Sequence, residues 1–261
     1  MKTKSLLLAA LSFTAVTFAQ KKEIRSAEKT VDDENYAQAQ TEIAAVESMM
    51  GEMDEKEKEY HYFVKGRAFL GGEKNTNADE LLKAMEAFAK VSEFNDGDKY
   101  GDEATQYKQT AMNAVISSAV DDQNAQKYDA AASKLYKLYT LTPKDTSYLY
   151  FAASNAVNGQ DYDTALDYYG QLKELGYTGI ETKYTAKNKE SGQVESFPDK
   201  QQRDLFVKSG SHEDPKTEVT ESRSGEIAKN IALIYIQEGK NEEALSAIKD
   251  ALAENPDDDA L

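Results

Sequence analysis

The sequence predicts an all-α chain: an α-solenoid of stacked helix hairpins carrying a small β-hairpin and loop insertion. Three observations lead there. Ala131, in the run Lys127–Ala132, and Ala165, in Asp161–Leu166, hold equivalent places one repeat length apart. Pro143 and Pro256 close helices, and Gly159 and Gly239 break helix from helix. Residues 180–224 lack the helical period and carry strand and turn signals instead. A fixed period of about 34 residues marks a repeat architecture. Each hairpin leaves one apolar side wet, so copies must stack.

Composition narrows the chemistry. The chain has 261 residues, 40% hydrophobic, with 16 Tyr and 9 Phe. That is too apolar for a disordered chain. Its 31 Lys+Arg against 47 Asp+Glu give a net charge of -16. No stretch of sequence is densely basic, which argues against a nucleic-acid partner. The absence of Cys excludes disulfides, zinc-thiolate sites and thiol catalysis. His61 and His212 are the only histidines.

Taken in order, Met1–Ala19 reads as a signal peptide. Lys2 and Lys4 form its basic start, Ser5–Val16 its apolar run, and Thr17-Phe18-Ala19 its cleavage site. The run is too short for a membrane span, which takes about 20 apolar residues. The chain is therefore expected to be exported, to the periplasm or cell envelope, with no integral span in its mature form. Helices are predicted near 21–32 and 35–50, 57–71 and 78–93, 102–124 and 127–141, 146–158 and 162–175, and 225–238 and 241–254. They form repeats at about 20–53, 59–98, 112–145, 146–179 and 225–258. Residues 259–261 begin a further copy, so a longer repeat protein is expected.

Two helices cross closely only where their side chains are small. The predicted crossing pairs are Ala27/Ala39, Gly66/Ala84, Ala119/Ala131, Ala153/Ala165 and Ala232/Ala244. Larger residues such as Tyr128, Leu135, Leu138, Tyr162, Tyr169 and Leu172 fill the grooves beside them. In the insertion, Thr182–Ala186 and Gln193–Phe197 read as strands joined by the turn Glu190-Ser191-Gly192. Asp204–Val207 is a short apolar piece expected to dock on the helices. Ser209–Ser224 reads as polar loop, with His212 solvated.

The copy Gly225–Asp258 has Ile231, Ala232, Tyr235, Gly239, Ala244, Ile248, Ala251 and Pro256 in series. This resembles the tetratricopeptide repeat, with Ile231 in place of Leu, Ile248 in place of Phe, and Ala228 where the family has Trp. The resemblance is to exported members of Gram-negative bacteria. It implies a right-handed superhelix whose first helices line a concave face. Carried over position by position, its contact residues are Tyr60, Phe63, Arg67 and Leu70; Asn113, Ile116, Val120, Gln123 and Asn124; Ser147, Tyr150, Ser154, Val157 and Asn158; and Glu226, Lys229, Leu233, Ile236 and Gln237. Amides there can grip a peptide backbone, and aromatic rings supply buried area. The paired cation clamp of some members is not evident.

Phosphate loops, nucleophile elbows and HExxH are all absent from the sequence. Asp96, Asp98 and Gly101 suggest a calcium loop only superficially, because Tyr100 and Tyr107 stand where oxygen ligands are needed. Asp257-Asp258-Asp259, Asp32/Asp33 and Asp121/Asp122 sit where helix capping explains them. His61, between Tyr60 and Tyr62, reads as a packing residue. The expected function is a non-catalytic scaffold that binds proteins or peptides and needs no cofactor or metal. The alternative is a glycan- or nutrient-capturing envelope protein.

Overall fold

The computed structural model describes residues 20–72, 75–94 and 99–254. The expected signal peptide Met1–Ala19, Asp96, Asp98, Pro256 and the Asp257–Leu261 end lie outside the described residues. Helix dominates, and one small sheet interrupts it. Two compact units, Met1–Gly159 and Gln160–Leu261, divide the chain. The division falls inside the predicted repeat 146–179.

The first unit begins with α1, over residues 20–32. There follow α2 (Tyr36–Val46), a 3-10 turn (Glu47–Glu52), α3 (Glu55–Leu70), α4 (Ala78–Val91), α5 (Gly101–Asn124), α6 (Tyr128–Leu141) and α7 (Ser147–Gly159). From α2 to α7 each helix packs on its chain neighbour, and α3 also touches α5 as α4 touches α6. Asp54 opens α3 with a capping box. Its carboxylate accepts the Glu57 N–H at 2.8 Å, and the Glu57 carboxylate accepts the Asp54 N–H at 3.3 Å. The helix expected to reach residue 50 ends at Val46 and tightens into 3-10 winding. Gly51 is a poor helix former, and Met49 and Met50 pack here on the core of Ile24, Ile43 and Val64.

All ten residues of the predicted crossing pairs are buried. Gly66 shows why size matters, since a Cβ there would overlap the Phe88 ring. Phe88 joins Phe63, Leu81, Leu82, Met85, Val115 and Leu138 in one continuous core. Burying side chains of this size contributes about 1.5–3 kcal/mol each.

The hairpin turns repeat as well. Glu34, Gln126 and Gln160 adopt φ of 59°, 59° and 62°, and Gly239 adopts 74°. Two residues after each, a second helix starts, at Tyr36, Tyr128, Tyr162 and Asn241. A left-handed residue thus sits at one fixed place in four turns. Gly159, read as the breaker, is instead the last residue of α7, and Gln160 takes the left-handed position. A Cβ at Gly159 would stand 2.5 Å from the Asp129 Oδ1.

The second unit holds α8 (Tyr162–Glu174), β1 (Thr182–Asn188), β2 (Val194–Phe197), α9 (Lys200–Lys208), β3 (His212–Val219), α10 (Ser224–Gln237) and α11 (Asn241–Glu254). The predicted hairpin is present as β1 and β2, with Tyr184 opposite Phe197. The remainder of the insertion differs from expectation. Asp204–Val207 lies inside α9 and packs on the sheet, not on the helices. The supposed loop 209–224 contains β3, which makes the sheet three-stranded in the order β2-β1-β3, all antiparallel.

Arg203 explains why α9 docks there. It is 5% exposed and donates to the Lys216 carbonyl at 2.7 Å and the Thr217 hydroxyl at 2.8 Å. Its guanidinium also lies over the Tyr184 ring at 5.7 Å. At the neck of the insertion, the Arg223 N–H donates to the Thr178 carbonyl at 2.7 Å, and the Thr220 N–H to the Glu181 carbonyl at 2.9 Å.

Candidate functional site

The sequence-predicted contact residues divide by what surrounds them. Tyr60, Phe63 and Tyr150 are 8%, 2% and 3% exposed. They are core side chains, which corrects their reading as a contact surface. Tyr100 stacks on Tyr60 (5.5 Å between ring centres, 14° between planes) and on Phe63 (4.4 Å, 20°), which seals that face of α3. The Tyr60 hydroxyl also donates to Glu28 of α1. Burial, and then that bond, raise the phenol's pKa well above its ordinary value. Arg67 is half-buried, donates to Asp32 at 2.7 Å and lies 3.9 Å from Glu28. Asp32 is therefore an ion-pair partner rather than a cap. Asp122 is another, receiving Lys134 at 2.5 Å.

Helices α5 and α7 are different. Asn113, Ser117, Val120 and Asn124 form an exposed stripe along α5, beside the half-buried Ile116 and exposed Gln123. On α7 the stripe is Ser147, Phe151, Ser154 and Asn158, each one repeat length beyond its counterpart. Asn158 is exposed, Phe151 is 44% exposed, and Ser147 and Ser154 are partly so. The Ser154 hydroxyl donates to the Tyr150 carbonyl at 3.0 Å, and Asn113 accepts from Gln109 at 3.0 Å. The Tyr148 hydroxyl of α7 reaches Met112 Sδ of α5 at 3.8 Å. Phe151 and Ser117 were missed by the position-by-position transfer. The i, i+4, i+7, i+11 recurrence on one helix face would have found them.

In the second unit, Lys229, Leu233 and Gln237 are exposed, with Leu233 at 49% and its neighbour Ile236 at 51%. They share the outer side of α10. The other side of α10, through Ser224, Ile227, Ala228, Ile231 and Tyr235, borders a groove of about 730 Å³ against α8 and α11. Tyr169 and Tyr177 line it too, and the Tyr169 hydroxyl accepts from Asn230 at 3.0 Å. Lys173 and Asp250 approach to 3.9 Å across it.

The two histidines also differ from each other. His212, expected in solvent, is 4% exposed. Its ring sits edge-on to Phe197 and Phe206, with Nδ1 2.9 Å from the Ser211 hydroxyl and Nε2 2.9 Å from Glu195. Hydrogen bonds from His212 and then Asn188 hold the Glu195 carboxyl below its usual range. His61 is fully buried in α3 with neither ring nitrogen paired. Burial pushes its pKa down to about 4.

Among the described residues, no group of three or more His, Cys, Asp or Glu is placed to hold a metal ion. No described helix is long and apolar enough to cross a membrane. No family model matches the chain, and neither does any curated protein. Solved structures of MamA are similar to it. MamA from AMB-1 shares 16% identity at a TM-score of 0.30, over 89% of this chain and 96% of that one. MamA from MSR-1 shares 14% at 0.31, over 89% and 94%.

Proposed function

We propose that the chain is a non-catalytic scaffold, exported to the periplasm or cell envelope. In this reading its hairpins stack as a tetratricopeptide-type solenoid, and the faces of α5 and α7 bind a protein or peptide partner. The observation that carries this is the pair of stripes that recur at the repeat spacing. Each offers amides and hydroxyls beside one exposed apolar residue, Val120 or Phe151. Such a surface can pair with a peptide backbone and bury a side chain of the partner. The buried small-residue pairs and the repeated left-handed turns support the stacked arrangement.

The test is a pull-down from envelope extract with the double variant Phe151→Ser/Asn158→Ala. Loss of the partner without a change in the thermal melt is expected. Recovery of the same proteins by the variant counts against the reading. Export is checked by sequencing the N-terminus of the secreted protein, which should start at Gln20. A second reading, glycan or nutrient capture, draws on the tyrosine-lined groove of about 730 Å³. Glycan-array binding abolished by Tyr235→Ala would favour it.

A further inference from the structure

Lys21 and Arg25 of α1, Lys56 and Lys99 come from three separate stretches of sequence, yet they line one cavity of about 620 Å³. Its walls are α1, the start of α3 and the residues just ahead of α5. Four carboxylates share those walls, and each is already engaged. Glu59, 1% exposed, accepts the backbone N–H groups of Lys99 and Tyr100, both at 2.9 Å. Asp54 and Glu57 are held by the capping box, at the N-terminus of a 16-residue helix. Glu28 accepts the Tyr60 hydroxyl and faces Arg67.

The cations are not spent in this way. Lys21, Arg25 and Lys56 have no hydrogen-bond or ion-pair partner among the described residues. The Lys99 ammonium donates to the Tyr100 hydroxyl at 2.7 Å. Donors therefore exceed free acceptors in a cavity of small-ligand size. The stacked Tyr60 and Tyr100 rings supply an aromatic wall beside them.

We infer that this cavity binds a phosphate ester. Three unpaired cations suit a group with about two negative charges and three terminal oxygens. A single carboxylate would leave most of the donors unused, and Arg25 offers the planar fork that grips phosphate bidentately. The site is independent of the stripes on α5 and α7 and requires no protein partner. Because the chain as a whole is acidic, attraction is confined to short range and weakens steeply with salt. The same chemistry is offered by a soluble phosphate monoester and by a lipid head group that ends in a phosphate monoester.

The test titrates the full chain with inorganic pyrophosphate by calorimetry. In parallel, the chain is sedimented with phosphatidic acid vesicles, with phosphatidylcholine vesicles as reference. Arg25→Gln/Lys56→Gln should weaken binding about tenfold or more, as expected for loss of charge-assisted hydrogen bonds. Both side chains are exposed, so the melt should not move, and Lys208→Gln should leave binding unchanged. Pyrophosphate binding without vesicle retention assigns a soluble ester. Retention on phosphatidic acid with the same dependence on Arg25 and Lys56 assigns a head group. The inference is overturned if the chain binds neither, or if the double variant binds as well as the parent.

Discussion

Gly66 in the first unit and Gly170 in the second are both helical glycines, yet their surroundings are opposite. The missing Cβ of Gly66 is occupied by the Phe88 ring, while nothing lies within 4 Å of the same position at Gly170. Around Gly66 the core runs on without interruption through Phe63, Leu82, Met85 and Leu138. Around Gly170, Gly176, Ala228 and Ala247 there is a groove of about 730 Å³. A small residue draws two helices together only where a large side chain fills the space it leaves. Without that partner, the same residue makes a hollow.

The contrast can be broken or sharpened by experiment. The largest effect is expected from Phe88→Ala, which should cost about 3–5 kcal/mol. Urea unfolding followed by circular dichroism reads the cost. Hydrogen exchange should confine it to the first unit.

Acid should separate the units next. His61 has a folded pKa of about 4 against an ordinary 6.5. Between those values the unfolded chain binds the extra proton, so stability is full above pH 6.5 and falls as pH drops towards 4. The loss approaches about 3 kcal/mol. Glu195 in the second unit behaves differently. Its carboxyl is depressed, so its contribution is full above the ordinary carboxylate pKa and is lost as pH falls from there through the lowered value. Exchange measured from pH 7 to 4 should show the first unit opening at the higher pH. His61→Leu should flatten that unit's profile and cost nothing at pH 7, because neither nitrogen has a bond to lose. An unchanged acid profile would remove His61 as the cause.

Smaller effects test the glycines themselves. Gly66→Ala should destabilise by about 1–3 kcal/mol through overpacking against Phe88. Gly170→Ala should stabilise by about 0.5–1 kcal/mol, since it gains helix propensity and meets nothing. Equal melting shifts of the same sign would show that the two environments do not differ as described.

Much of the helical part was legible, because periodicity and turn residues are local signals. Every described helix outside the insertion starts and stops within a few residues of its expected place. The first two strands were legible for the same reason. β3 was not: His212–Val219 carries one apolar residue, Val219, and includes Pro215. It is a strand because β1 offers it a partner, because Arg203 of α9 binds Lys216 and Thr217, and because its own His212 is held by Glu195 of β2. The burial of Tyr60 and Phe63 was hidden likewise. Family position places them on a contact face, but Tyr100, which lies beyond the whole of α4 in the sequence, covers them. The cations of the 620 Å³ cavity were not legible because Lys56 and Lys99 lie far along the chain from Lys21 and Arg25 and from each other.

The bond between Thr178 and Arg223 has a consequence for how such a chain changes over time. The polypeptide leaves the helical part and re-enters it at a single clasp. Whatever hangs beyond that clasp can be lengthened, trimmed or exchanged with little effect on the local backbone of α8 and α10. The three-stranded piece is in that sense a detachable cassette, and a short linker joining the two sides of the clasp should graft the helices back together.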